Sequence, residues 1–262
     1  MDALSKSRFV SGVLILLAVW GGLVPATTSH AQSGNVAELE DAFEDPFEDP
    51  FEDAFDEETP LVYDPLEPVN RGLFWVNDKL YFFLFKPLAR AYRVVPERAR
   101  VSISNAISNI TSPVRMANAL LQFRGETFWN ELARFEINTT AGLGGLFDPA
   151  RKYFSLEKRD EDFGQTLGHY GTPGGPYLFW PFLGPSNVRD SVGMGVDAFL
   201  DPLTYLTWNW TLVEQSGLKA GEGINTLSLD KDTYEAIKRD SLDPYLFIRN
   251  AYSQHRKGYI EK

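Results

Sequence analysis

The chain contains no cysteine in any of its 262 positions. For these residues that excludes disulfides, thiol catalysis, cysteine-ligated zinc and a cysteine-linked lipid. Histidine is nearly as scarce. Beyond residue 31 there are only His169 and His255, far apart and without metal-ligand spacing. Charge of one sign is missing from most of the chain as well. The formal net charge of −11 comes from residues 38–58, which hold twelve Asp and Glu and no Lys or Arg. Residues 59–262 carry 23 acidic and 23 basic side chains, so nucleic-acid binding has no electrostatic support. Alternation of Val, Ile and Thr over strand-length windows is absent, and the expected fold is nearly all-α.

What is present begins with a leader. Lys6 and Arg8 precede an apolar run over 9–24, and Ser29-His30-Ala31 forms a small-x-small site that predicts cleavage between Ala31 and Gln32. The rival reading is an uncleaved anchor, since residues 9–26 approach bilayer-spanning length. Both readings place the remainder outside the cytoplasm.

Residues 32–62 read as a disordered acidic tether. Within it Phe43, Phe47, Phe51 and Phe55 recur every fourth residue, but Pro46 and Pro50 rule out a continuous helix. The tract is a solubilising spacer or a docking peptide with aromatic anchors, and the sequence does not choose between them.

Residues 63–262 form the folded body, and its centre of gravity is the stretch 162–190. Six glycines and four prolines there surround Tyr177, Leu178, Phe179, Trp180, Phe182 and Leu183. Turn-forming residues are normally polar and exposed, so an aromatic loop of this kind needs a core, a protein or lipid against it. The flanking segments are also apolar. Residues 72–86 carry Phe74, Trp75, Tyr81, Phe82, Phe83 and Phe85 around most of a helix too short to span a bilayer, with only Asn77, Asp78 and Lys79 as a polar notch. Such rings suit the headgroup boundary of a membrane.

Short helices are expected over 97–110, 113–123, 126–138, from Ser186 as cap through 199, from Asp201-Pro202, over 232–241 and over 243–257. The inward stripes would be Ile103, Ile107 and Ile110; Val114, Ala117 and Leu121; Phe128, Leu132 and Phe135; and Val188, Val192, Val196 and Phe199. Residues 217–223 read as a flexible joint.

Several fragments imitate chemistry. Gly193-Met194-Gly195-Val196-Asp197-Ala198 matches a dinucleotide fingerprint but follows no strand. Asp162-Phe163-Gly164 matches a kinase triplet without its companion motifs. Asp160-Glu161-Asp162 lacks the periodic oxygens of a calcium loop. No cofactor, no metal site and no catalytic set is expected, and the chain does not read as an enzyme.

Asp64-Pro65-Leu66-Glu67-Pro68-Val69-Asn70-Arg71, Arg134-Phe135 with Asn138, residues 142–150 (GLGGLFDPA), residues 161–168 (EDFGQTLG), Gly175-Pro176-Tyr177, Gly184-Pro185-Ser186 and Arg189-Asp190 occur in one order. Together they closely resemble the MlaA/VacJ family of outer-membrane proteins, over about residues 64–257. The resemblance implies a ring-like, all-helical body of short amphipathic helices with Gly/Pro-rich loops, lying in the periplasmic leaflet of the outer membrane. It implies an amphipathic pore through which mislocalised phospholipid leaves the outer leaflet, a periplasmic carrier of MlaC type and a trimeric porin as partners. Asn70, Arg71, Arg134, Asn138, Asp162, Gln165, Arg189 and Asp190 would be the structural motif residues. Tyr177, Leu178, Phe179, Trp180 and Phe182 would be the pore wall or gate. Family members usually carry a lipid on cysteine, and this sequence departs from them there. A structural envelope protein and a secreted phospholipase are the readings from other classes.

Overall fold

The computed structural model describes residues 62–230 and 232–261. The leader, its junction at Ala31 and Gln32, and the acidic Phe repeat lie outside the described residues. Within them the chain is mainly helical, as expected, and no helix is long and apolar enough to cross a membrane.

Helix α1 (Glu67–Leu80) starts on Pro68, whose missing N–H is no loss in a first turn. It continues through a π-helical turn (Tyr81–Phe85) into α2 (Lys86–Tyr92). Pro87 explains the widening: its ring would clash with the carbonyl four residues back and cannot donate to it. The Lys86 N–H bonds Tyr81 O instead.

Next come α3 (Glu97–Ile110), α4 (Ser112–Leu121) and α5 (Gly125–Thr140). Then follow α6 (Pro149–Phe154) and α7 (Phe163–His169), capped by Asp148 and Asp162. Behind them are α8 (Val188–Leu200), α9 (Pro202–Leu206), α10 (Leu212–Leu229), α11 (Thr233–Asp240) and α12 (Pro244–Ile260).

Three sequence expectations are corrected. The aromatic loop contains a two-stranded antiparallel hairpin, β1 (Tyr177–Trp180) with β2 (Gly184–Asn187), in the register Tyr177 with Asn187 through Trp180 with Gly184. Its three-residue connection has Phe182 at φ 66°, and Gly184, which opens β2, is at φ 82°. Alternation could not reveal so short a pair. Ser186 therefore belongs to a strand, and Asn187 caps α8 by accepting the Asp190 N–H at 2.8 Å. Residues 217–223 are not a joint: they lie inside α10, which opens on a capping box between Thr211 and Glu214. Each glycine there costs about 1 kcal/mol, which the cap and the packing of α10 on α2 and α3 offset.

The third correction concerns which face is inside. Val188, Val192 and Phe199 were expected to point inward, yet Val192 is 55% and Phe199 70% exposed, while Arg189, Asp190 and Gly193 of the same helix are buried. Leu121 and Ile103 also face outward. The interior of α3, α4 and α5 is instead Arg100, Asn109, Ser112, Arg115, Asn118, Ala119, Glu131, Arg134 and Asn138.

An aromatic core does exist, but in a restricted place. Tyr81, Tyr177, Phe179, Tyr234, Tyr245, Leu227 and Ile248 bring together the π turn, β1 and the last three helices. Edge-to-face contacts join Phe74 to Phe179 at 5.5 Å and to Tyr245 at 5.8 Å.

Candidate functional site

The hairpin is held from one side by α1. Asn70, only 2% exposed, donates to Tyr177 O at 3.0 Å and accepts the Phe179 N–H at 2.9 Å. It also donates to Asp64 at 2.8 Å, and Asp64 in turn receives Arg249 at 3.3 Å and the Tyr245 hydroxyl. Arg71, beside it, pairs with Glu67 and Asp243, each at 2.8 Å, which ties α1 to the cap of α12. The polar notch of the sequence divides in two. Asn77 turns to the hairpin, while buried Asp78 receives the Tyr234 hydroxyl at 3.0 Å and Lys238 at 2.5 Å.

The hairpin's exit is locked by charge. Asp190 receives Arg189 at 2.9 Å, Arg256 at 2.9 Å and the Tyr252 hydroxyl at 2.5 Å. Burial alone would raise the Asp190 carboxyl; Arg256 and Arg189 reverse that and hold it below the usual carboxylate range. Asp162 caps α7 by accepting the Gln165 N–H at 2.8 Å and pairs with the same Arg256 at 2.5 Å. Gln165 folds back to donate to Asp160 O at 2.8 Å. Arg134 pairs with Asp148 at 2.9 Å, and Asn138 donates to the same carboxylate at 3.0 Å. The motif residues thus act as ties between elements.

A polar seam runs through the interior of α4, α5, α7 and α8. Arg115 meets Glu131, which is 0% exposed, at 2.7 Å, and the other Glu131 oxygen accepts the Arg159 N–H at 2.8 Å. Gln122 donates to Glu161 at 2.9 Å and to Thr166 at 3.1 Å, Thr166 donates to Asn118 at 3.0 Å, and Asn118 donates to Asp197 at 2.8 Å. Burial pushes the Asp197 carboxyl up to about 6, because the Phe163 N–H and Asn118 that bond it are neutral.

The catalytic imitations dissolve in this packing. A β-carbon on Gly193 would come within 2.7 Å of Gly164 Cα. The glycine of the apparent fingerprint and the glycine of the apparent kinase triplet are the two halves of one close crossing between α7 and α8. Asp160, Glu161 and Asp162 each face a different cation: Lys158 at 2.7 Å, Arg124 at 3.0 Å and Arg256 at 2.5 Å.

Among the aromatic candidates, Tyr177 and Phe179 point into the core, Leu178 is half-buried, and Trp180 and Phe182 are exposed. Of the interface candidates, Tyr81 is buried with its hydroxyl on Glu235 at 2.7 Å, Phe74, Phe82 and Phe85 are half-buried, and Trp75 and Phe83 are exposed. Further along, Tyr205, Leu206, Trp208, Trp210 and Val213 are all exposed. A groove of about 890 Å³ lies elsewhere, between the start of α3 and the turn before α6. Val101, Leu146 and Phe147 face it together with Arg98, Asn105 and Lys152, and no hairpin residue lines it.

Sequence reasoning passed over Arg115, Asn118, Gln122, Glu131, Asp197 and Arg256. The signal was available. Arg115, Asn118 and Gln122, then Glu131, Arg134 and Asn138, then Asp190, Gly193 and Asp197 each repeat the helical spacing of three and four, with polar or small residues in the place where apolar ones normally recur.

A model of the MlaA lipoprotein family matches residues 62–258. The chain is similar to the intermembrane phospholipid transport system lipoprotein MlaA of Escherichia coli (strain K12), at 38% identity over 202 residues, covering 73% of this chain and 76% of that one. A Rickettsia felis protein is 34% identical over 202 residues, covering 76% of this chain and 79% of its own. A solved structure described as the structural basis for maintenance of bacterial outer membrane lipid asymmetry aligns with a TM-score of 0.64 at 36% identity. It covers 75% of this chain and 98% of the other.

Proposed function

The chain belongs to the MlaA lipoprotein family, and from that premise we propose that it is the outer-membrane component of a phospholipid transport system that maintains lipid asymmetry. It takes mislocalised phospholipid from the outer leaflet through an amphipathic path and passes it to a periplasmic carrier of MlaC type, in association with a trimeric porin. No bond is made or broken.

The observation that carries this reading is the reversed polarity of the body. Charged and amide side chains fill the interior of α3, α4, α5 and α8, while large apolar side chains face out. In water such a distribution wastes apolar burial and desolvates charges; with lipid outside, both terms change sign. A lipid in transit needs polar lining for its headgroup and apolar walls for its chains. The groove offers both, with Arg98, Asn105 and Lys152 for the first and Val101, Leu146 and Phe147 for the second, while the buried seam holds the helices around it. Trp180 and Phe182 at the hairpin tip are the wall or gate residues, since Tyr177 and Phe179 are committed to the core.

The test is outer-leaflet phospholipid in a deletion strain. The wild type should lower it, and Trp180→Asp/Phe182→Asp should not, although it accumulates to the same level. Full rescue by a stably folded double variant would remove the hairpin tip from the lipid path. An unchanged outer leaflet on deletion would favour a structural envelope role, and activity abolished by replacing one Ser or His would favour a phospholipase.

A further inference from the structure

Asn77 repeats, seven residues along α1, what Asn70 does. Its Nδ2 donates to Trp180 O at 3.2 Å and its Oδ1 accepts the Phe182 N–H at 2.9 Å. Asn70 grips residues 177 and 179, and Asn77 grips residues 180 and 182. The two spacings match because seven helical residues rise ~10.5 Å and three extended residues span ~10 Å. Two carboxamides on a helix, with Tyr63 O accepting the Tyr177 N–H at 2.9 Å, therefore bond the backbone of β1 and of the turn that follows it.

The two rungs differ in surroundings. Asn70 is buried and braced by Asp64, Tyr245 and Arg249. The Asn77 rung is open to solvent, and so is the bond from Trp180 Nε1 to Ser191 Oγ at 2.9 Å, while exposed Phe182 meets half-buried Phe85 at 6.0 Å. Water can replace an exposed rung at little expense but cannot reach a buried one. Just past the open rung the backbone turns at Phe182, at φ 66°, a conformation a bulky residue holds only when its surroundings impose it.

We propose that Asn77 is a positioning residue: a releasable latch that fixes the hairpin tip, residues 180–183, against α1, while Asn70 is the fixed pivot. With the latch closed Trp180 and Phe182 keep one orientation. With it open the tip moves about the Asn70 rung and the core stays intact. The latch is read from the hydrogen bonds alone; only its consequence for lipid rests on the proposed function.

The experiment is residue-resolved amide exchange on the full chain in detergent micelles. Asn77→Ala should speed exchange at Phe182 about tenfold, leave Phe179 protected and hardly move the thermal midpoint. Asn77→Asp, which keeps the acceptor for the Phe182 N–H, should restore most of that protection. Asn70→Ala should instead lower the midpoint and expose both amides. Unchanged exchange at Phe182 in Asn77→Ala would overturn the latch, as would equal loss of protection at Phe179 and Phe182. In the deletion strain, Asn77→Ala should alter outer-leaflet phospholipid. Faster exchange with unaltered phospholipid would uphold the latch and tell against the hairpin as lipid gate.

Discussion

Gly164 and Gly193 touch backbone to backbone, which brings α7 and α8 closer than any side chain would allow. Gly193→Ala should destabilise the fold by roughly 1–3 kcal/mol, because the added carbon meets main chain that cannot step aside. Gly195, two residues on, has open space where its β-carbon would go. Gly195→Ala should be neutral or stabilising by up to about 1 kcal/mol. Thermal midpoints of the two variants in the same detergent check the pair.

The buried pair of Arg115 and Glu131 predicts an asymmetric response. Glu131→Ala strands Arg115 in the interior and also removes a partner of Arg134, 3.9 Å away, so it should cost about 3–5 kcal/mol. Arg115→Met/Glu131→Leu should recover part of that loss, since no unpaired charge remains at Arg115. Equilibrium denaturation of the single and double variants measures the difference.

Asp197 predicts a pH dependence with a definite sign. Its folded value, about 6, lies above the ordinary 3.8, so the fold favours the protonated form. The stability it contributes is present at and below pH 4 and is lost as pH rises through 6. Asp148 and Asp190, held low by Arg134 and Arg256, contribute in the opposite sense and lose stability as pH falls. Asp197→Asn should therefore gain roughly 1–3 kcal/mol on the wild type between pH 4.5 and pH 7.5. Denaturation of both proteins at the two pH values isolates that change, and a constant difference would contradict it.

If the outward apolar face meets lipid, its removal should affect membrane binding and not folding. Val192→Ser/Phe199→Ser replaces two exposed side chains and should shift stability by no more than about 0.5 kcal/mol each. Sedimentation with phospholipid vesicles should fall several-fold. Undiminished binding would place the membrane contact on another face.

Much of this protein was legible in its residues. The start of α3 at Glu97, the start of α12 at Asp243-Pro244 and the first-turn proline of α4 follow from local chemistry. The hairpin was not legible, because its strands are only four residues long and the carboxamides that grip it come from α1, more than 100 residues earlier. The apolar stripes of α4 and α8 were found at the right spacing but assigned to the wrong side. Periodicity reports that a helix has two faces and is silent about the solvent beyond each.

The residue order alone determined the extents of α3, α4, α5, α11 and α12 closely, that residues 59–262 are neutral, and that these residues offer no thiol chemistry, since each of these depends on neighbours in the chain or on composition alone. Only the tertiary structure decided which face of each helix is interior, that two glycines from apparent catalytic motifs meet, and that Asn70 and Asn77 grip one hairpin. Those outcomes depend on elements distant in sequence coming into register, and no local pattern encodes a distance between them.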